Sequence, residues 1–116
     1  NEQQLQRTVV KFLKQSDLQY TCTLGEFLDT ESYRIQACKN GYLSGISDLL
    51  IFTPSSGYNG LAIEFKTPSY GAGNLSKKQS DFLTKLEIES GWFCMISNDL
   101  CEIIEILTKY INGILN

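Results

Sequence analysis

The amino-acid sequence predicts a single α/β domain, residues 1–116, with the element order αβββαβα. Three observations carry this prediction. Apolar residues recur at helical spacing in three separate stretches, four short β-branched or aromatic runs lie between turn formers, and 116 residues suit one core.

Leu5, Val9, Phe12 and Leu13 fall at i, i+4, i+7 and i+8, the stripe of an amphipathic helix from about Glu2 to Gln15. Tyr20 to Phe27, where Tyr, Thr and Cys alternate ahead of Gly25, reads as a strand. Leu28 to Leu43 is open between helix and loop: Arg34, Ile35 and Ala37 have possible helical spacing, but Asn40 and Gly41 soon interrupt it. Ile46 to Phe52 is a strand between Gly45 and the turn formers Pro54 to Gly57, and Gly60 to Thr67 is another, ended by Pro68. Their short connection predicts an antiparallel hairpin. After a Gly-rich loop, Ser69 to Asn74, Ser76 opens a helix with Phe82, Leu83 and Leu86 on one face and Gly91 as its C-terminal cap. Trp92 to Ile96 is a short apolar strand. Leu100, Ile103, Ile104 and Leu107 mark a last helix that starts near Asn98 or Asp99.

Composition narrows the function classes. The chain is 42% apolar and 20% charged, near the averages of soluble globular proteins, which excludes a disordered or fibrous architecture. No apolar run approaches the ~20 residues of a membrane helix. Asn1 to Arg7 is polar and lacks a secretion-signal pattern, so the expected location is the cytoplasm of a bacterial or a phage- or virus-infected cell, without secretion. Cys22, Cys38, Cys94 and Cys101 form no C-x-x-C pair and read as reduced, mostly buried thiols. The absence of histidine argues against structural zinc and leaves acid–base chemistry to carboxylates, lysine or water. A net charge of -3 is not that of a purely electrostatic nucleic-acid binder, yet Lys66, Lys77, Lys78 and Lys85 cluster in one stretch.

Strand alternation puts Glu64 and Lys66 on the face of Ala62, opposite Leu61, Ile63 and Phe65. Asp48 shares its face with Ile46, Leu50 and Phe52, an otherwise apolar side. A buried carboxylate needs a partner or a metal. Two readings stand at this point. Lys66 forms a structural salt bridge with one carboxylate, or Asp48 and Glu64 make a hard oxygen site suited to Mg²⁺ or Mn²⁺ with an ammonium beside it.

The run Gly45-Ile46-Ser47-Asp48, then Glu64-Phe65-Lys66, then Ser76-Lys77-Lys78-Gln79 resembles the virus-type replication-repair nuclease (VRR-NUC) branch of the PD-(D/E)XK nucleases. That branch reads G-x-P-D, a strand, E-x-K, a Gly-containing loop and S-x-x-Q at a helix start; Ser47 stands where it usually has proline. The resemblance implies a restriction-endonuclease-like core with a mixed central sheet flanked by helices. It also implies a Mg²⁺- or Mn²⁺-dependent endodeoxyribonuclease of viral, phage or bacterial replication and repair. Asp48, Glu64, Lys66 and Gln79 match its catalytic positions, with Glu2 as a helix-one glutamate near the metal and Gln6 as a weaker companion. The implied metal ligands are Asp48, Glu64 and the Phe65 backbone carbonyl. The implied substrate is DNA, branched as in a Holliday junction, cut by a homodimer. The alternatives are a nicking or flap-type nuclease and a non-catalytic nucleic-acid-binding module, against which the intact Asp48, Glu64 and Lys66 speak.

Several residues have a second, plainer reading. Ser76 and Gln79 also spell a capping box, and Glu2 also suits a helix N-terminus on dipole grounds. Arg34, Lys39, Lys77, Lys78 and Lys85 are phosphate contacts or ordinary solvated charges. Tyr70 is a base-stacking side chain or an ordinary loop residue. The apolar face of the last helix, continued by Tyr110, Ile111 and Ile114, is a dimer interface or core.

Overall fold

In the computed structural model, residues 1–66 and 75–116 are described. The chain runs α1 (Glu2–Leu13), β1 (Tyr20–Cys22), a 3₁₀ turn (Gly25–Phe27), α2 (Glu31–Lys39), β2 (Leu49–Ile51), β3 (Leu61–Glu64), α3 (Lys77–Ser90), β4 (Phe93–Ile96) and α4 (Leu100–Ile111). The predicted order holds, with one helix added between the first two strands. The Gly-rich loop with Tyr70, and the predicted strand end at Thr67 and Pro68, lie outside the described residues.

The sheet has the order β1-β2-β3-β4. β2 and β3 form the expected antiparallel pair, Leu49 opposite Ile63 and Ile51 opposite Leu61. β1 joins β2 antiparallel and β4 joins β3 parallel, so the sheet is mixed. Alternate side chains feed two layers, as the two-residue strand period requires. Leu49, Ile51, Leu61, Ile63 and Phe65 pack with Val9 and Leu13 of α1 and Ile103, Leu107 and Tyr110 of α4. Leu50 and Ala62 pack with Leu83 of α3, flanked by Ile46, Phe82, Leu86 and Trp92.

Local chemistry sets the element ends. Asn1 caps α1, which stops at Leu13, two residues before the predicted end. Ser76 and Gln79 form the capping box of α3, Gly91 closes it in the left-handed conformation at φ 70°, and Asp99 caps α4. The first strand ends at Cys22 and not at Phe27. Thr23 still donates its N–H to the Asp48 carbonyl and its hydroxyl to the Ser47 carbonyl, after which the chain turns at Gly25. The open segment resolves as α2, which Thr30 caps and which has no buried residue. That explains its weak periodicity: a helix without a core face needs no apolar stripe.

One expectation is corrected and one alternative is decided. None of the four cysteines is in a disulfide, but none is buried either: Cys38 and Cys101 are exposed and Cys22 and Cys94 half-buried. Cys38 sits on the helix that faces no core. The apolar face of α4 is core and not a free surface, with Ile103, Leu107 and Tyr110 fully buried. The Tyr110 hydroxyl donates to the Thr53 carbonyl at 2.6 Å, tying α4 to the β2–β3 connection. Ile111 and Ile114 remain exposed. Among the described residues no helix is long and apolar enough to cross a membrane.

Candidate active site

Both carboxylates emerge where β2 and β3 stop pairing on the α3 side of the sheet. The ladder would next place the N–H of Phe65 against the backbone beyond Leu49. Instead the Phe65 N–H donates to Asp48 Oδ2 at 2.9 Å, so the aspartate both terminates the ladder and is held by it. The Glu64 carbonyl accepts from the Lys66 and Ser97 N–H groups, each at 3.0 Å, which turns the chain out of the strand directly after the glutamate.

Gln79 links the two ends of the E-x-K segment. Its Oε1 accepts from Lys66 Nζ at 2.9 Å and from the Ser76 N–H at 3.0 Å, while its Nε2 donates to Glu64 Oε1 at 3.1 Å. The capping box and the contacts of Gln79 to Lys66 and Glu64 therefore coexist, because a carbonyl oxygen has two lone pairs and the amide nitrogen remains for the carboxylate. The amide of Gln79 stands between the ammonium of Lys66 and the carboxylate of Glu64.

Glu64 is only 2% exposed, and among the described residues its Oε2 has no hydrogen-bond partner. Burial, then the charge of Asp48, then a proton that Glu64 can share with the Asp48 carboxyl, push the Glu64 carboxyl up to about 8. Lys66 opposes this rise, and Glu2 adds a smaller push in the same direction. An orphaned, buried carboxylate oxygen beside a second carboxylate is a donor set for a hard divalent cation, so the residues present fit one. Sulfur and imidazole play no part in that pair.

Asp48, Glu64, Lys66 and Gln79 line one cavity of about 300 Å³, with Leu28, Arg34, Cys38 and Tyr42 on its outer wall. Glu2 lines it too, but is exposed at the rim and not turned inward to the core. Among the described residues no three acidic, cysteine or histidine side chains gather tightly enough to hold a metal together, which leaves Glu2 outside the Asp48–Glu64 pair. A larger cavity of about 520 Å³ lies along α1 beyond Glu2, but Glu2 is its only carboxylate. Gln6 is half-buried on the same helix.

The remaining candidates divide. Arg34 reaches the cavity wall, its Nη1 donating to the Leu28 carbonyl at 3.0 Å. Ser76 acts through its cap. Lys77 points outward, 88% exposed, and pairs with Asp81 at 2.9 Å, while Lys85 is exposed on the body of α3. Lys78 is held close by its backbone: a Cβ on Gly45, whose φ is +87°, would lie 2.6 Å from the Lys78 carbonyl carbon. This contact accounts for the glycine of the Gly45-x-x-Asp48 run. Ser47 is fully buried, and its hydroxyl has no partner among the described residues. Leu28, Cys38 and Tyr42 carry no motif that marks them as cavity wall; the spacing of Arg34, Ile35 and Ala37, the capping Thr30 and the Asn40-Gly41 stop are the local signals for the helix beside them.

No curated protein matches the chain. Among solved structures it is similar to a "VRR_NUC domain protein", with 20% identity and a TM-score of 0.71, over 97% of this chain and 88% of that one. At that identity the likeness speaks for the fold. The sequence profile of the VRR-NUC domain matches residues 1–94, a span that includes Glu2, Asp48, Glu64, Lys66 and Gln79. With the profile covering most of the sequence and the sheet presenting its motif residues together, the chain belongs to the VRR-NUC domain family, a nuclease branch of the PD-(D/E)XK superfamily.

Proposed function

We propose that this chain is a divalent-metal-dependent DNA endonuclease that hydrolyses phosphodiester bonds at the Asp48–Glu64 site. The observation that carries the reading is the Glu64 oxygen, buried, without a partner and next to Asp48. Such an atom has a large desolvation cost unless a cation takes it up. Asp48, Glu64 and the Phe65 carbonyl would hold Mg²⁺ or Mn²⁺, which supplies Lewis-acid activation of the phosphodiester and neutralises charge on it.

The chain's own groups supply the rest. Gln79 holds the Lys66 ammonium at the cavity beside the carboxylates, where a positive charge stabilises the developing charge on the phosphorus oxygens. The same amide keeps Glu64 Oε1 hydrogen-bonded, so that Oε2 is the oxygen presented. Glu2 at the rim adds negative potential without joining the pair.

The substrate we propose is branched DNA, with a homodimer making the paired cuts, since two symmetric incisions need two copies of one site. The family resemblance supports this part of the reading. Asp48→Asn and Glu64→Gln, assayed with Mg²⁺, Mn²⁺ and Ca²⁺ on a four-way junction and on linear duplex, test it. Each variant is expected to lose at least about a hundredfold in cleavage, since even groups that only orient metal ligands are worth roughly 10–100-fold. Unchanged cleavage in both variants refutes the site. Equal cutting of linear duplex refutes the preference for branches.

A further inference from the structure

A third cavity, about 530 Å³, lies between α2 and the start of α3 and shares Arg34, Cys38 and Ser44 with the cavity of Asp48 and Glu64. It adds Lys39, in the last turn of α2, and Lys78, in the first turn of α3. Glu31 is its one carboxylate and Ile35 its main apolar contact. Three cations thus converge against one acid in a chain whose net charge is -3. Among the described residues, neither Lys39 nor Lys78 takes part in an ion pair, whereas Lys77 and Lys109 are each paired with an acid four residues away in sequence.

The groove is built. Gly45 lets the Lys78 backbone pack against the loop before β2, and the Arg34 guanidinium is anchored through Nη1 to the Leu28 carbonyl on a side chain that lines both cavities. A set of cations in a groove that adjoins the Asp48–Glu64 cavity suits a polyanion with regularly spaced charges. Point-charge ammonium groups hold such a backbone without reading its bases.

Resting on the nuclease reading above, we propose that this α2–α3 groove is the track for the phosphodiester backbone flanking the cut. Arg34 contacts the phosphate nearest the carboxylates, and Lys39 and Lys78 contact those beyond it. Lys77 and Lys85, which a purely sequential view groups with Lys78, lie off the track.

The test is fluorescence anisotropy with a short labelled DNA duplex carrying an unpaired arm, titrated at several salt concentrations with Asp48→Asn protein, in which cleavage is suppressed. Lys39→Gln and Lys78→Gln should each weaken binding several-fold and lower the slope of log K against log salt by about one, and the double variant by about two. Lys77→Gln and Lys85→Gln should each change the affinity less than about twofold. Thermal melts verify that these exposed substitutions leave the fold intact. In otherwise wild-type protein, the double variant should raise KM more than it lowers kcat. Slopes equal to the parent, equal losses in Lys77→Gln and Lys85→Gln, or no binding by the parent would each overturn the track. The two readings fail separately. If only the nuclease reading is wrong, no protein cleaves but the groove variants still lose DNA; if only the track is wrong, the groove variants cleave with an unchanged KM.

Discussion

On the side of the sheet facing α1 and α4, Leu49, Ile51, Leu61, Ile63 and Phe65 are each no more than 1% exposed. On the side facing α3, only Leu50, Ala62 and Leu83 among the described residues are buried apolar residues, and the same strands end there in Asp48 and Glu64. Successive residues of one strand therefore serve opposite ends. Ile63 and Phe65 close a dry layer, each such side chain contributing about 1.5–3 kcal/mol by burial, while Glu64 between them is held in a costly state. The difference teaches that most of the buried apolar surface resides in one layer and the charged groups of the candidate site in the other. A four-residue strand can carry both because its side chains alternate.

The sharpest way to break this comparison is to substitute neighbours. Ile63→Ala should cost about 2–5 kcal/mol of unfolding free energy through the cavity it leaves, measured by urea denaturation. Glu64→Gln, one residue on, should leave the metal-free protein at neutral pH as stable as the parent or more so, because it removes a buried acid that stays neutral there only by keeping a proton the unfolded chain releases. A large loss from Glu64→Gln in the presence of chelator would mean that the carboxylate is a structural element and not a strained one.

Gly45→Ala tests whether the thin layer depends on close backbone approach. The left-handed φ of +87° and the 2.6 Å approach to the Lys78 backbone should cost about 1–3 kcal/mol. The damage should concentrate at the start of α3, read as faster hydrogen exchange of the Gln79 and Ser80 amides with the α4 amides unchanged. Uniform acceleration would show the two layers to be more tightly coupled than the packing suggests.

The last test is the pH slope from Glu64. Its carboxyl rises from an ordinary 4.5 to about 8 in the fold, so between those values the folded protein retains a proton that the unfolded chain has released. The stability from this group is complete below pH 4.5 and is lost as pH rises through 8. The slope for the metal-free protein is at most about 1.4 kcal/mol per pH unit. Glu64→Gln should abolish that slope. Saturating Mg²⁺ should flatten it as well, with proton release on binding near neutral pH detectable by calorimetry in two buffers of different ionisation enthalpy. A slope that persists in Glu64→Gln would assign the titration to another group.

Much of this was legible before any coordinates. The alternation Leu61-Ala62-Ile63-Glu64-Phe65 assigns each side chain to a layer whatever surrounds the strand, and Ser76, Gly91 and Asp99 mark helix ends by hydrogen-bond and φ requirements that are local. The motif residues from Gly45 to Gln79 were recognisable for the same reason: they are short runs with fixed spacing. Helix α2 was harder, since without a buried face it imposes no apolar period, and only the spacing of Arg34, Ile35 and Ala37 ahead of the Asn40-Gly41 stop hinted at it.

The sequence by itself determined the strand faces, the caps and the identity of the charged groups at the strand ends, because backbone geometry acts over a few residues. Only the tertiary structure decided that Gln79 is both cap and bridge, that Asp48 takes the Phe65 N–H in place of a ladder bond, and that Arg34, Lys39 and Lys78 share a groove while Lys77 does not. Those outcomes depend on the register that sets Leu49 against Ile63 and on the glycine contact that seats α3. Both bring together residues far apart in the chain, and no local rule contains that distance.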